Sequence, residues 1–347
     1  MKMNLPILGW DVGGANIKAV RIRGEEPPSE SDVVQHPFPL WREPEGLASM
    51  LGEVADRLGG TGAVRDMAIT MTGELADCFA TKREGVIFVL DAFRSAFPEI
   101  EQHVFGVDGR FRSSAEAREE PHQIAAANWM ASARLVSRTY SDVVLIDVGS
   151  TTTDITPVVD GRVAAVGRTD TERLAAGELV YTGVLRTPVC AIVRSVPLGG
   201  GPCPVAAEHF AVAADVHCWL GNIGESSYVC ETPDGKGRSR PEAGTRLARM
   251  VCADAETLTD AEITTIAQSV ARAQTSRIED GIRKVRDRFG PAAPSTALLL
   301  GEGAFLARAA AAHIGLGVDE LAERLGTAVS RCGPAAAVAY LLSEPSP

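Results

Sequence analysis

Two stretches of this chain follow one plan, and that repeat limits its fold more than any other feature of the sequence. "LGWDVGGANIKAVRI" lies near the N-terminus and "LIDVGSTTTDITPV" begins at Leu145. Each takes an apolar strand into an aspartate, an apolar residue and a glycine, then through a polar turn into a second strand. Asp11 and Asp147 hold equivalent places. The pattern predicts a duplicated α/β half-domain, with strands joined by Gly turns and covered by helices. The 347 residues are enough for two cores.

A glycine-rich reversal between strands bares backbone N–H groups, which can reach phosphate oxygens at close range. An aspartate closing the preceding strand is placed to hold Mg2+, directly or through water. One such turn is equally an ordinary hairpin; two in equivalent positions favour phosphate. A third element joins them, because "ALLLGEGAFLA" sets Gly301 and Gly303 between a buried strand and a helix. The candidate cradle is therefore Gly13, Gly14, Gly149, Ser150, Thr151, Thr152, Thr153, Gly301 and Gly303. Lys18 adds a point charge, and Asp11 and Asp147 are the metal candidates.

Helical spacing in "EPEGLASMLGEVADRLGG" (Leu47, Met50, Leu51, Val54, Leu58) predicts a helix stopped by Gly-Gly. "REGVIFVLDAFRSAFP" predicts another, and "HVFGVDGRFRSS" a hairpin turning at Asp-Gly. "PHQIAAANWMASARLVSRTY" reads as one Ala-rich helix with Trp129 and Met130 in the core. A long amphipathic helix is expected from Asp260 to Phe289, and a last one from Pro334. The basic run Arg283, Lys284, Arg286 and Arg288 reads as a solvated helix face, and "EEPPSESD" as a loop. Residues 206–255 show no clear pattern and contain the most loop-like stretch, "ETPDGKGRSRPEAG". A boundary is drawn between 140 and 141. Residues 1–140 carry the first Gly turn; residues 141–347 carry the second and the loop at 301–303, with the last helix able to pack back on the first domain.

A net charge of −11 disfavours a broad nucleic-acid surface. No apolar run reaches the roughly 18–20 residues of a membrane span, and no signal-peptide pattern opens the chain, so no membrane partner and a cytoplasmic location are expected. Seven cysteines (Cys78, Cys190, Cys203, Cys218, Cys230, Cys252, Cys332) form no CxxC pair, which predicts buried free thiols. His209 and His217 lie among Glu208, Asp215 and Cys218. Their spacing does not set both on one helix face, and zinc is not expected there.

The two Gly turns and the "GEGA" loop, over about residues 7–340, resemble the two phosphate loops and the adenosine loop of the actin/hexokinase/Hsp70 superfamily. That resemblance implies two ribonuclease-H-like α/β domains around a central cleft. A narrower resemblance is carried by "MTGELADCFATKREGV", "AANWMASA", "DVGSTTTDI", "TDTERLAAGELVYTGVLRTPVCAI", "EHFAVAADVH" and "RLARMVCAD". These look like the hydantoinase/oxoprolinase-related proteins linked to tetrahydromethanopterin C1 transfer.

The narrower resemblance implies a transferase of methanofuran-type cofactor biosynthesis. It would join a furanmethyl diphosphate to the phenol of a tyramine or tyrosine derivative and release pyrophosphate. Mg2+ is the implied cofactor. ATP is the superfamily's usual guest, and adjacent glycines let its adenine approach; here Glu302 separates Gly301 from Gly303, which favours a diphosphate without adenine. Ionising the C–O bond would leave a furan-stabilised cation, while the protein holds the departing pyrophosphate and orients the phenol. Glu74 in "TGEL", Asp154 in "TTTD" and Glu178 in "AGEL" are the candidate bases, each at or beside a turn. Arg186 and Thr187 stay open between a substrate contact and a surface pair. Two other readings stand beside this one: an ATP-dependent small-molecule kinase or oxoprolinase-like hydrolase, and a non-enzymatic nucleotide-binding scaffold. A homo-oligomer is compatible with each.

Overall fold

The first Gly turn does join two strands, and they lie at the centre of a larger sheet. The structure, a computed structural model, describes residues 5–24, 27–62 and 64–343; Glu25 and Glu26 of the expected "EEPPSESD" loop lie outside it. The chain divides into two compact units. One is Met1–Leu145, Thr156–Ala175 and Asp319–Pro347; the other is Ile146–Ile155 and Ala176–Val318.

The first sheet comprises β1 (Ile7–Val12), β2 (Asn16–Ile22), β3 (Val33–Pro37), β4 (Asp66–Met71), β5 (Glu101–Phe105) and β6 (Phe111–Ser113). Their spatial order is β3-β2-β1-β4-β5-β6. β2 is antiparallel to β1 and β4 is parallel to it. Every residue of β1 is buried, because helices cover both faces of the sheet. Alternation sorts them. Leu8, Trp10 and Val12 pack with the helices Leu47–Arg57 and Lys82–Ala96, where the Trp10 ring meets Phe93 edge-on at 5.5 Å. Ile7, with Val20 and Ile22 of β2, faces the helices Asn128–Val136 and Gly333–Ser343. Asp11 and Lys18, direct partners across β1 and β2, stand on this second face.

The boundary expected at 140/141 becomes an interleaved division. Residues 319–347 join the first unit because the face of β1, β2 and β4 carrying Ile7, Val20 and Ala68 is apolar and the last helix covers it with Ala335, Ala336 and Ala339. A second difference concerns "PHQIAAANWMASARLVSRTY". It forms two helices, Pro121–Ile124 and Asn128–Val136, with Ala126 at φ 52° between them. Left-handed backbone is costly for alanine, so an Ala-rich helical pattern could not announce this break.

The second sheet uses β7 (Val143–Val148), β8 (Thr153–Val159), β9 (Arg162–Val163) and β10 (Leu179–Val180). A separate ribbon of β11 (Ser195–Leu198) and β12 (Gly201–Pro204) follows, and then β13 (Thr296–Leu300) and β14 (Gly317–Glu320) complete the sheet. The order is β10-β8-β7-β13-β14, with β9 beside β8. β7 and β8, the arms of the second Gly turn, occupy the places of β1 and β2, so the sequence repeat is also a repeat of topology.

Residues 206–255 resolve into two helices, Ala213–Trp219 and Arg240–Arg249, tied by a buried ion pair. Arg246 and Asp215 meet at 2.8 Å with both side chains fully buried. The Tyr228 hydroxyl donates to Asp215 Oδ1 at 2.9 Å, and Arg246 reaches Asp234 at 3.1 Å. Removing one partner strands the other charge. Asp215→Ala should therefore lower the unfolding free energy by about 3–5 kcal/mol, read from the midpoint of a urea titration. The seven cysteines are free; Cys218 and Cys332 are buried, whereas Cys252 is exposed. No described helix is long and apolar enough to cross a membrane.

Candidate functional site

The first turn closes when Gly13 N–H donates to Asn16 O at 2.9 Å. The chain after β3 returns to brace it, with Phe38 N–H donating to Ala15 O at 2.9 Å and Leu40 N–H to Gly14 O at 3.0 Å. A Cβ on Gly14 would meet nothing within 4 Å, so this side of the turn is open. Asp11 is 7% exposed. Lys18 Nζ donates to the Arg331 carbonyl at 2.9 Å, and an incoming phosphate would compete with that carbonyl for its charge.

β4 runs into the short turn Gly73–Leu75, which carries Glu74. Gly73 lies directly on the first Gly turn: a Cβ there would come 3.2 Å from Gly13 O and 2.8 Å from the Leu40 side chain. Glu74 is thus seated beside that turn. It is 1% exposed, and its Oε2 is buried without a hydrogen-bond partner. Burial pushes its carboxyl up to about 7, against the lowering pull of its own amide, of Lys82 and of the Ala126 amide; Asp170 adds to the rise. Lys82 Nζ stands 4.0 Å from Glu74 Oε1 and 2.7 Å from Asp170 Oδ2. The helix break has a local role here, since left-handed Ala126 presents its amide to Glu74.

The second turn closes in the same way, Gly149 N–H donating to Thr152 O at 2.9 Å. Its brace is the segment 182–187. Val184 N–H donates to Gly149 O at 2.9 Å, and the N–H groups of Leu185 and Arg186 donate to Ser150 O at 3.0 and 2.9 Å. Ser150, Thr151 and Thr152 are half-buried. Thr153 is different: it is fully buried, and its hydroxyl donates inward to Thr182 O at 2.7 Å. Thr187 is also structural, with Oγ1 buried and accepting from Gly183 N–H at 2.9 Å. The "GEGA" loop is stitched to the end of β7, because Gly303 N–H donates to Val148 O at 2.9 Å. Gly301, at φ 87°, packs so closely on the Asp147 carboxylate and the Val148 carbonyl that no side chain would fit. Glu302 is half-buried before the helix Ala304–His313. The carboxylates of Asp11 and Asp147, each near the end of a strand and a glycine turn, are hard oxygen donors of the kind Mg2+ takes.

A buried polar chain that the sequence did not reveal holds the 182–187 segment. Gln274 Nε2 donates to Thr182 Oγ1 at 3.0 Å and to Gly183 O at 2.8 Å. With its amide nitrogen donating, Gln274 Oε1 accepts from His217 Nε2 at 2.9 Å, and His217 Nδ1 accepts from Asn222 Nδ2 at 3.2 Å. Burial pushes His217 down to about 4, so the imidazole stays neutral. Both of its ring nitrogens are engaged within the protein.

The other two candidate bases sit differently. Glu178 is fully buried and paired with Arg288 at 2.6 Å, a holding contact, while Arg288 stays exposed as the solvated face requires. Asp154 is half-buried in β8, opposite Leu179 of β10. Lys82 and Asp170 were not singled out by sequence reasoning, although both fall inside the stretches that carry the narrower resemblance, "TKREGV" and "TDTERL".

Comparison with known proteins adds to this geometry. Residues 65–344 match the sequence model of the hydantoinase/oxoprolinase family. The (4-{4-[2-(gamma-L-glutamylamino)ethyl]phenoxymethyl}furan-2-yl)methanamine synthase of Methanocaldococcus jannaschii is 35% identical over 344 residues, 99% of each chain. The synthase of the same name from Methanococcus vannielii is 32% identical over 205 residues, covering 58% of this chain and 90% of that one. Among solved structures, nucleotide-free acetone carboxylase aligns with a TM-score of 0.56 at 11% identity, over 97% of this chain and 70% of that chain. That likeness shows a shared α/β fold.

Proposed function

The chain belongs to the hydantoinase/oxoprolinase family, and from that premise we propose that it is a transferase of methanofuran-type cofactor biosynthesis. It joins a furanmethyl diphosphate to the phenol of a tyramine or tyrosine derivative. The observation that carries this reading is the full-length similarity to the Methanocaldococcus synthase, whose name describes a phenoxymethyl-furan ether. The donor's C–O bond to the diphosphate breaks with its electron pair leaving on pyrophosphate. The phenol oxygen forms the new bond to the furanmethyl carbon, and its proton passes to Glu74.

The chain's own residues supply binding and proton transfer. Each Gly turn offers backbone N–H groups to phosphate oxygens, the second together with the hydroxyls of Ser150, Thr151 and Thr152. Thr153 keeps the turn in shape through Thr182. Asp147 beside the second turn, and Asp11 in the equivalent place beside the first, would each offer a carboxylate to Mg2+, which would supply charge neutralisation for the diphosphate. Glu74 is the base of choice because it is buried beside the first turn and poised near neutrality.

The test is direct. Purified protein with Mg2+, a furanmethyl diphosphate and gamma-glutamyltyramine should release pyrophosphate and yield the aryl ether, followed by mass. No ether, together with substrate-dependent ADP formation from ATP, would reject the proposal. Asp147→Asn should weaken diphosphate binding by about tenfold or more, a loss of about 1.4 kcal/mol; unchanged affinity would remove Asp147 from the metal set.

A further inference from the structure

We propose that Lys82 and Asp170 form a positioning couple for Glu74, Lys82 keeping the buried carboxylate ready to accept a proton and Asp170 keeping Lys82 from neutralising it outright. The proposal rests on the reading of Glu74 as proton acceptor and adds two residues to it. All three belong to the first unit. Lys82 is the first residue of the helix Lys82–Ala96, whose start is pinned by Thr81 accepting from Glu84 N–H at 3.1 Å. Its ammonium makes its close contact, 2.7 Å, with the outer carboxylate of Asp170, and stands 4.0 Å from the inner one of Glu74. Lys82 and Asp170 are each 26% exposed while Glu74 is 1% exposed, so the couple lies nearer solvent than the buried acid.

The other end of the couple is equally fixed. Asp170 opens the helix Asp170–Ala176, and that helix is anchored by Arg173, buried with its guanidinium 4.0 Å over the Trp129 ring. Trp129 lies just after the break at Ala126, whose amide faces Glu74. Among the described residues, Lys82 pulls the Glu74 carboxyl down and Asp170 pushes it up. Two neighbouring carboxylates on the same helices are turned elsewhere: Glu84 accepts from Ala80 N–H at 2.9 Å, and Glu172 from the N–H groups of Arg168 and Thr169 at 2.9 and 3.0 Å.

The division of one cation between two carboxylates has a chemical reason. A buried glutamate with no cation near it keeps its proton and accepts none. One in direct contact with an unshared lysine is held ionised and is a weak base. A lysine bound first to Asp170 leaves Glu74 between those extremes, where a general base works best.

The test is to titrate Glu74 itself by 13C NMR of labelled glutamate carboxyls, with Glu74→Gln used to assign the signal, beside pH profiles of kcat/KM. Lys82→Met should move the Glu74 midpoint to higher pH, and Asp170→Asn should move it to lower pH. The acid limb of kcat/KM should follow, about tenfold in rate per unit of movement. Lys82→Arg should restore the wild-type midpoint. If Lys82→Met does not fold, Lys82→Gln removes the same charge while keeping an amide for Asp170. Midpoints that stay in place, or move in one direction in both variants, overturn the couple regardless of activity. Wild-type turnover in Glu74→Gln, with the midpoints moving as expected, instead rejects Glu74 as the base and leaves the electrostatic couple standing.

Discussion

Glu74→Gln is expected to reduce turnover by about 10²–10⁴-fold, the usual contribution of a positioned general base, while making the protein more stable at pH 8. The two effects have one origin. Burial raises the carboxyl from 4.5 to about 7. A carboxyl whose folded value is raised favours the folded state most fully below pH 4.5, and that contribution is lost as pH climbs through about 7. At pH 8 the wild type therefore carries an ionised, buried group, a penalty on the order of 3 kcal/mol that glutamine does not have. Melting curves at pH 5 and pH 8 should converge in the variant relative to wild type, and wild-type kcat/KM should rise with pH to a plateau above about 7. A variant that is both fully active and unchanged in its pH-dependent stability would show that Glu74 neither ionises in this range nor takes the proton. His217 offers a control of opposite sign. Its folded value is lowered from 6.5 to about 4, so its contribution is present above 6.5 and lost as pH falls through about 4.

Gly183→Ala is the second change expected to act strongly, although Gly183 has no chemistry of its own. A Cβ there would come 2.5 Å from Thr151 N and 2.6 Å from both Gly149 O and the Ser150 carbonyl carbon. All three are backbone atoms of the second Gly turn and cannot rotate away. Gln274 fixes Gly183 from the other side through its carbonyl at 2.8 Å. The methyl group must therefore displace the turn. Diphosphate affinity should fall about a hundredfold or more by isothermal titration, equivalent to about 2.7 kcal/mol, and stability should drop by about 1–3 kcal/mol from overpacking. Gly14→Ala is the matching control. Its Cβ would meet nothing within 4 Å, so folding should be unchanged. Gly183→Ala that binds diphosphate as wild type does would mean that the second turn is not the phosphate cradle.

How much of this was legible in the sequence depends on whether the physics was local. The two Gly turns, their flanking strands and the helix Leu47–Arg57 follow from patterns within a dozen residues, and they are present. β3 was not anticipated, because "VVQHP" is too short and too polar to stand apart from the loop before it. The break at Ala126 runs against local propensity and is held by its surroundings. Glu74 could be picked as a carboxylate at a turn, but its distinction from Glu178 could not. That distinction rests on Lys82 at 4.0 Å in one case and Arg288 at 2.6 Å in the other, the latter partners being far apart in the chain. The Gln274–His217 chain was hidden for the same reason: His217 could be weighed only as a metal ligand until its buried neighbours were known.

The last helix has a consequence for how the protein is made. The first unit's sheet has one face covered by Gly333–Ser343, so β1, β2 and β4 are synthesised long before the helix that closes that face. Residues 176–318 are complete before then. Synthesis thus reverses the usual N-terminal-first order of maturation. A nascent chain stalled before residue 333 should present Ile7, Val20 and Ala68 to chaperones, and arrested chains released after 343 should not. The sheet that carries the first Gly turn is thus closed only once the helix Gly333–Ser343 has been made.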